Sequence, residues 1–379
     1  MRAFAILAAV LIFSAFPHGA QAFQSANERY ITCPTELEYE KAENLGGGLF
    51  AGYYSEYPSL TSPNMEIFDY TGNVMDGLSC KSAKGLGEGL IAVERFDDGI
   101  LKNQVVNEKG EIVIDGGYIS IEPFSEGLAV FKSQFEYGFM DTEGNVVIEP
   151  TYYSAGSFSE GLAAVQEKRN GPWKYINKKG ETVIEGDFKF AYNFSGNRAF
   201  VNSMTDGKGG YIDSKGNKVT AFNYNRGSRF CGGLAMAVVN DSLRAEIIDN
   251  NGQVVKILPG SNEAYFAETS AGEPVHAYSI EYIIEDGENG HRHNKKYYDY
   301  NGEISKEEYN KLVSLSEGLM AAKSPLTDKY GYVDEKGYTK MAYIFDYCYP
   351  FKDGYALVER GGKYGVVESP IKLNERQDF

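Results

Sequence analysis

The sequence predicts an all-β protein: tandem three-stranded antiparallel β-meanders of about 36 residues, stacked as an open superhelical array. Three observations carry that expectation. The 379 residues include 29 Tyr, 22 Phe and 43 Gly but 12 Pro, a balance that favours short strands and tight turns over helices. An Asp or Asn followed three residues later by Gly recurs along the chain, with its glycine at Gly72, Gly110, Gly144, Gly180, Gly216, Gly252, Gly302 and Gly337. A second glycine with a short apolar run after it precedes most of these turns, as at Gly89-Leu90, Gly127-Leu128, Gly161-Leu162, Gly233-Leu234, Gly318-Leu319 and Gly354-Tyr355.

The elements follow in chain order. Residues 1–22 read as a secretory signal. Arg2 is their one charge, Ala3 to Phe16 is an apolar run, and Ala20-Gln21-Ala22 is a small-x-small cleavage site. The run is too short to span a bilayer, so no integral membrane segment is expected in the mature chain. Residues 23–83 read as a divergent N-terminal repeat or cap. Residues 84–260 hold the regular repeats, residues 261–312 a divergent repeat with a charged insertion, and residues 313–379 the last repeats and a tail.

One regular unit shows the chemistry. Phe124-Ser125-Glu126-Gly127 is a turn, and Leu128 to Phe131 and Tyr137 to Met140 are two strands. Asp141-Thr142-Glu143-Gly144 is the hairpin turn between the second strand and a third, Val146 to Ile148. There the Asp side chain can bond the backbone two residues on, and Gly supplies the positive φ. A lone unit buries too little apolar surface to offset its conformational entropy, so neighbours must share faces. A closed propeller-like ring is the alternative arrangement. Three strands per unit and uneven intervals at both ends favour the open array, with the end segments as caps.

Phe-Ser-Glu-Gly-Leu-Ala at 158–163 and 124–129 is paired with Tyr137-Gly138-Phe139-Met140-Asp141. Lys329-Tyr330-Gly331-Tyr332-Val333-Asp334 and Lys363-Tyr364-Gly365-Val366-Val367 repeat the second motif. In these residues the chain resembles the WG (KWG) β-repeat family over about residues 45 to 367. Tyr-Gly stands here for the family's Trp-Gly, and the single Trp173 is followed by Lys174. The resemblance implies a β-repeat architecture, frequent export and no particular activity.

Charge and motifs narrow the function classes. Lys and Arg total 37 against 53 Asp and Glu, a net charge of −16, which disfavours nucleic acid and anionic membranes as partners. No nucleophile elbow occurs, the acidic turns lack the Ca2+-loop pattern, and no cofactor is expected. His291 and His293, beside Glu285, Asp286 and Glu288, form the one candidate metal site, on what reads as a flexible charged insertion. Cys33 and Cys80 are the candidate disulfide. Tyr152, Tyr153, Phe190, Tyr192, Tyr347 and Tyr349 fall in the loop after the third strand of several units. They are either core between repeats or a surface that grips a sugar or peptide. The reading is an exported, non-catalytic scaffold for a protein or an envelope glycan. Its rivals are a metal-assisted hydrolase using the His-rich insertion and a purely structural spacer.

Overall fold

The computed structural model describes residues 31–32, 39–54, 65–75, 78, 80–97, 100–239, 244–258, 263–268, 274–285, 291–299 and 303–371. One plan recurs among them, clearest over residues 120–152. Leu128–Lys132 pairs antiparallel with Tyr137–Asp141, which pairs antiparallel with Val146–Tyr152. The two-residue strand Ser120–Ile121, drawn from the preceding linker, adds to the outer side of the first. The three-stranded meander thus gains a short fourth strand. Sheets hold three or four strands, except that three repeats over residues 154–257 run on as one ten-stranded sheet. Two strands make the joins: Thr182–Ala191 pairs with Trp173–Asn177 on one side and Arg198–Ser203 on the other, and Tyr224–Gly227 pairs with Gly209–Asp213 and Leu234–Val239.

The hairpin turns follow from their first residue. The Asp141 carboxylate accepts the N–H groups of Glu143 at 3.0 Å and Asn145 at 2.8 Å, and Gly144 sits at φ +84°. Asp69, Asn107, Asn177, Asp213, Asp249 and Asp334 close the same turn. The turn of Gly302 lies outside the described residues. Slight burial works to raise the Asp141 carboxyl, but hydrogen bonds from Asn145, Glu143 and Gly144 outweigh it and hold the group below the usual Asp range. Asp213 is held low in the same way, by Asn217 and Lys215.

The second motif has a different cause. The third strand slips register as it crosses the second, bringing its backbone over the glycine of Tyr-Gly. A Cβ at Gly138 would lie 2.6 Å from the Ile148 carbonyl oxygen and 2.8 Å from the Pro150 nitrogen. In the repeat with Lys174 at this place, the glycine is on the facing strand instead, Gly186 beneath the Phe188 ring.

Both faces of the regular sheets are covered, so the first strand runs apolar through consecutive residues, as from Leu128 to Phe131, instead of alternating. Ala129 and Phe131 pack with Leu86, Leu90 and Val105 of the preceding repeat. Leu128 and Val130 pack with Phe158, Ala163 and Val165 of the following one. The core is therefore a series of layers between repeats, most of them with a buried Phe. Phe158 meets Phe139 at 4.8 Å between ring centroids, and Phe194 meets Tyr175 at 4.9 Å.

The turn before the first strand joins repeats as well. Ser125 and Leu128 exchange backbone hydrogen bonds around Glu126 and Gly127, both at positive φ, the primed hairpin turn. Two side chains of this turn act between neighbours. The Ser125, Ser159 and Ser195 hydroxyls donate to the carbonyls of Phe158, Phe194 and Phe230 in the next repeat, at 2.6–2.7 Å. The Glu88, Glu126 and Glu160 carboxylates accept the N–H groups of Gly127, Gly161 and Asn197, again one repeat on. A chain of clasps results.

The fold divides into two compact units, residues 1–81 with 314–379 and residues 82–313. In the first unit the first and last repeats are neighbours. Ile31–Thr32 pairs with Lys363–Glu368. Phe50 and Phe68 share a layer with Tyr355, Leu357 and Val366, and Asp353 accepts the Gly47 N–H at 2.9 Å. The N-terminal repeat thus stands against the last one as any following repeat would, rather than as a separate solvent-facing cap.

The divergent repeat differs from its expected form. Residues 274–285 and 291–299 make a long hairpin, with His291 opposite Glu285 and His293 opposite Ile283. The histidines are therefore on a paired strand and not on a flexible loop. Lys306–Ser314 is an α-helix, unexpected in an all-β reading. Its start is a capping box: Ser305 Oγ accepts the Glu308 N–H, and the Glu308 carboxylate accepts the Ser305 N–H.

Candidate functional site

The aromatic residues that follow the third strand separate at a register shift, as between Phe188 and Phe190, which breaks the strand's alternation. The buried Phe of each layer fixes the phase. Six residues before it, Tyr152, Tyr224 and Phe345 point into the core, and Phe188 packs against it. Four residues before it, the side chain leaves the sheet, opposite the fifth residue of the first strand. That outward position holds Ser120, Ser154, Phe190, Arg226 and Tyr347 in successive copies. Two residues before it stand Glu122, Gly156, Tyr192, Ser228 and Tyr349. Rings occupy both outward positions in two copies, one in each unit.

In the unit of residues 82–313, Phe190 and Tyr192 are each about half exposed, at 51% and 50%. Lys189 Nζ stands 5.8 Å from the centre of the Phe190 ring, and Tyr192 lies 6.1 Å from Phe200. The backbone beneath is fixed, because the buried Tyr175 hydroxyl donates to the Tyr192 carbonyl at 2.7 Å. Burial pushes the Tyr175 hydroxyl far up, so it stays a donor.

In the other unit the pair belongs to a larger patch. Tyr347, 47% exposed, contacts Tyr349 at 4.9 Å and Tyr330 at 5.6 Å between centroids, and Tyr349 contacts Tyr364 at 6.3 Å. The Tyr349 hydroxyl donates to Glu359 at 2.6 Å, and the Tyr332 hydroxyl anchors the Tyr349 carbonyl at 2.6 Å. Asp346 pairs with Lys329 and accepts the Gly361 N–H at 2.6 Å. Those two contacts hold the Asp346 carboxyl below its ordinary range. Tyr349 is raised well above an ordinary phenol, by burial first and by Glu359 next, so it is a neutral donor.

The remaining sequence-derived residues distribute as follows. Tyr153 is exposed beside the buried Tyr152. Tyr152 is corrected from a ligand residue to a core residue, packed with Phe158 and Val165 between two repeats. The candidate metal residues His291 and His293 lie on the hairpin strand, and no group of three or more metal-binding side chains occurs among the described residues. Cys80 is buried, while Cys33 and any pairing with it lie outside the described residues. Tyr330, Tyr364, Asp346 and Glu359 were not singled out from sequence. Tyr330 and Tyr364 begin the second strands of their repeats, and only the pairing of strands brings them to Tyr347 and Tyr349.

Comparisons with known proteins agree with this repeat plan. A family model described as WG containing repeat matches residues 105–133, 137–170, 173–206, 210–241 and 330–364. The chain carries this repeat at five places. No curated protein matches the sequence. Among solved structures, Hsv2 of Kluyveromyces lactis is 13% identical, with 68% of this chain and 98% of that chain covered and a TM-score of 0.35. A functionally unknown protein from Desulfotomaculum acetoxidans is 14% identical, with 68% and 91% covered and a TM-score of 0.31. At such scores these likenesses carry no assignment.

Proposed function

We propose that this repeat protein is an exported, non-catalytic binding scaffold that offers aromatic surface to a protein or glycan of the cell envelope. One observation carries the reading. The outward positions that hold Phe190 and Tyr192, or Tyr347 and Tyr349, are filled by Ser154 and Gly156 or Arg226 and Ser228 in sister repeats of the same backbone. The shared backbone therefore makes no demand for rings there, and although Tyr349 also packs against the layer of Phe50 and Leu357, Phe190, Tyr192 and Tyr347 are about half exposed, as aromatic side chains used in recognition are. Export rests on residues 1–22, which lie outside the described residues. No described helix is long and apolar enough to cross a membrane.

The test is capture from envelope extracts on the immobilised mature chain, in parallel with a variant carrying Phe190→Ser, Tyr192→Ser and Tyr347→Ser. A partner retained by the first and lost from the second supports the scaffold. No retained partner, or retention indifferent to the three substitutions, overturns it. Export predicts a secreted product whose first residue is Phe23.

A further inference from the structure

The patch around Tyr347 has a chemistry that narrows its ligand. Four rings, Tyr330, Tyr347, Tyr349 and Tyr364, meet in one continuous chain of contacts on the last two repeats; Tyr347 is exposed, and the other three are partly buried and steady it from the core side. Their border is polar and carries both signs of charge. Lys329 pairs with Asp346, Lys323 pairs with Asp328 at 2.6 Å while standing 5.7 Å from the Tyr330 ring centre, and Glu359 accepts the Tyr349 hydroxyl. Such a border offers ammonium donors and carboxylate acceptors side by side, with one carboxylate in excess. That suits hydroxyl groups, which need both, and gives no advantage to an anionic ligand. The acidic chain, at −16 overall, further disfavours an anionic polymer.

A peptide added as an extra strand fits less well. The outer strand of this sheet on the side of the rings is Tyr347–Cys348. It is two residues long and lies beside Tyr330–Asp334 of the preceding repeat, so it offers a peptide only a short ladder.

We infer that the tyrosine patch of the last two repeats binds a neutral pyranose oligosaccharide, the apolar faces of its sugars on Tyr347 and Tyr330 and its hydroxyls on the Asp346, Lys329 and Glu359 border. The inference rests on the scaffold reading and names its ligand class. Calorimetric titration of the full mature chain with cellohexaose, maltohexaose and chitohexaose tests it. Saturable binding of at least one is expected, weakened tenfold or more by Tyr347→Ala and by Tyr330→Ala. Phe135→Ala, a ring exposed on a hairpin tip of the other unit, is the control and leaves binding unchanged. Matching melting temperatures show that the variants fold. Absence of binding to all three sugars, or binding indifferent to Tyr347→Ala, overturns the inference. If the envelope capture still retains a protein through the same rings, the scaffold stands and only the sugar falls.

Discussion

Two stretches of the unit 82–313 use the same inter-repeat turn with different chemistry. At Glu126 and Glu160 the first turn position is an acid held at φ +57° and +55°, and its carboxylate reaches the next repeat. At Gly196 and Gly232 the acid is absent, and glycine takes the same left-handed backbone at φ +63° and +56°. A non-glycine residue in that region costs on the order of 1–3 kcal/mol unless its surroundings over-determine it. The acids are kept where a backbone N–H of the neighbour needs an acceptor. Where glycine stands, Arg198 reaches across instead, its Nε donating to the Asn250 carbonyl at 2.9 Å. Coupling in these two stretches thus has one shared part, the buried Phe layer, and one exchangeable part, the clasp.

The largest effect should come from the shared part. Phe158→Ala and Phe230→Ala each empty a ring-sized space between repeats, at about 3–5 kcal/mol. Because both rings are buried, the losses should be similar on the clasped and unclasped sides. Denaturant titration measures this. A loss confined to one side would mean that the layers are not equivalent.

Exchanging the clasp should separate the two stretches. Glu126→Ala keeps the unfavourable φ and loses a charge-assisted hydrogen bond, so it should cost about 1–2 kcal/mol given the partial exposure of the carboxylate. Glu126→Gly loses the same bond but relieves the backbone and should cost less. The reverse change is not a gain. A Cβ at Gly196 would lie 3.1 Å from the Phe230 Cβ, so Gly196→Glu should also destabilise. Hydrogen exchange at the Gly161 amide reports the first pair of variants directly.

This comparison also shows what could be read from the residues alone. The Asp-x-x-Gly turns were legible because their hydrogen bonds stay within four residues, as between Asp141 and Asn145. The Phe-Ser-Glu-Gly motif was legible as a turn but not as a clasp, because its Ser and Glu bond to groups 33–39 residues away. An acid in a slot that prefers Asn or Gly was the available signal. The outward rings were legible as a group, but Tyr152 and Phe190 separate only when the buried Phe fixes the phase. The His-x-His hairpin was misread for the opposite reason: charge and glycine near residues 285–290 hid the β-rich runs on either side.

Acid should act on both stretches alike, and weakly. The Asp141 and Asp213 carboxyls are held below their unfolded value of about 3.9, so their stabilisation is complete above that value and is lost as pH falls through the lower folded one. Asn at the same place closes the same turn at Asn107 and Asn177. The double variant Asp141→Asn, Asp213→Asn should therefore fold normally at pH 7 and lose less stability than the parent as pH falls below about 4. An unchanged acid slope would move the origin of acid sensitivity to other carboxylates.

The smallest effect on stability should come from the outward rings, and that is what makes them informative. Ser154 occupies in one repeat the position that Phe190 occupies in the next, with the same pairing to the fifth residue of the first strand. Phe190→Ser therefore imports a side chain the backbone already accepts, and stability should stay within about 0.5 kcal/mol. A core ring replaced by serine would behave oppositely, as Tyr152→Ser should, since its side chain fills a layer between repeats. If Phe190→Ser destabilised as much as Tyr152→Ser, the outward ring would be a packing residue and its exposure would carry no functional meaning. If stability held while partner capture fell, the ring would be kept for what it meets outside the fold.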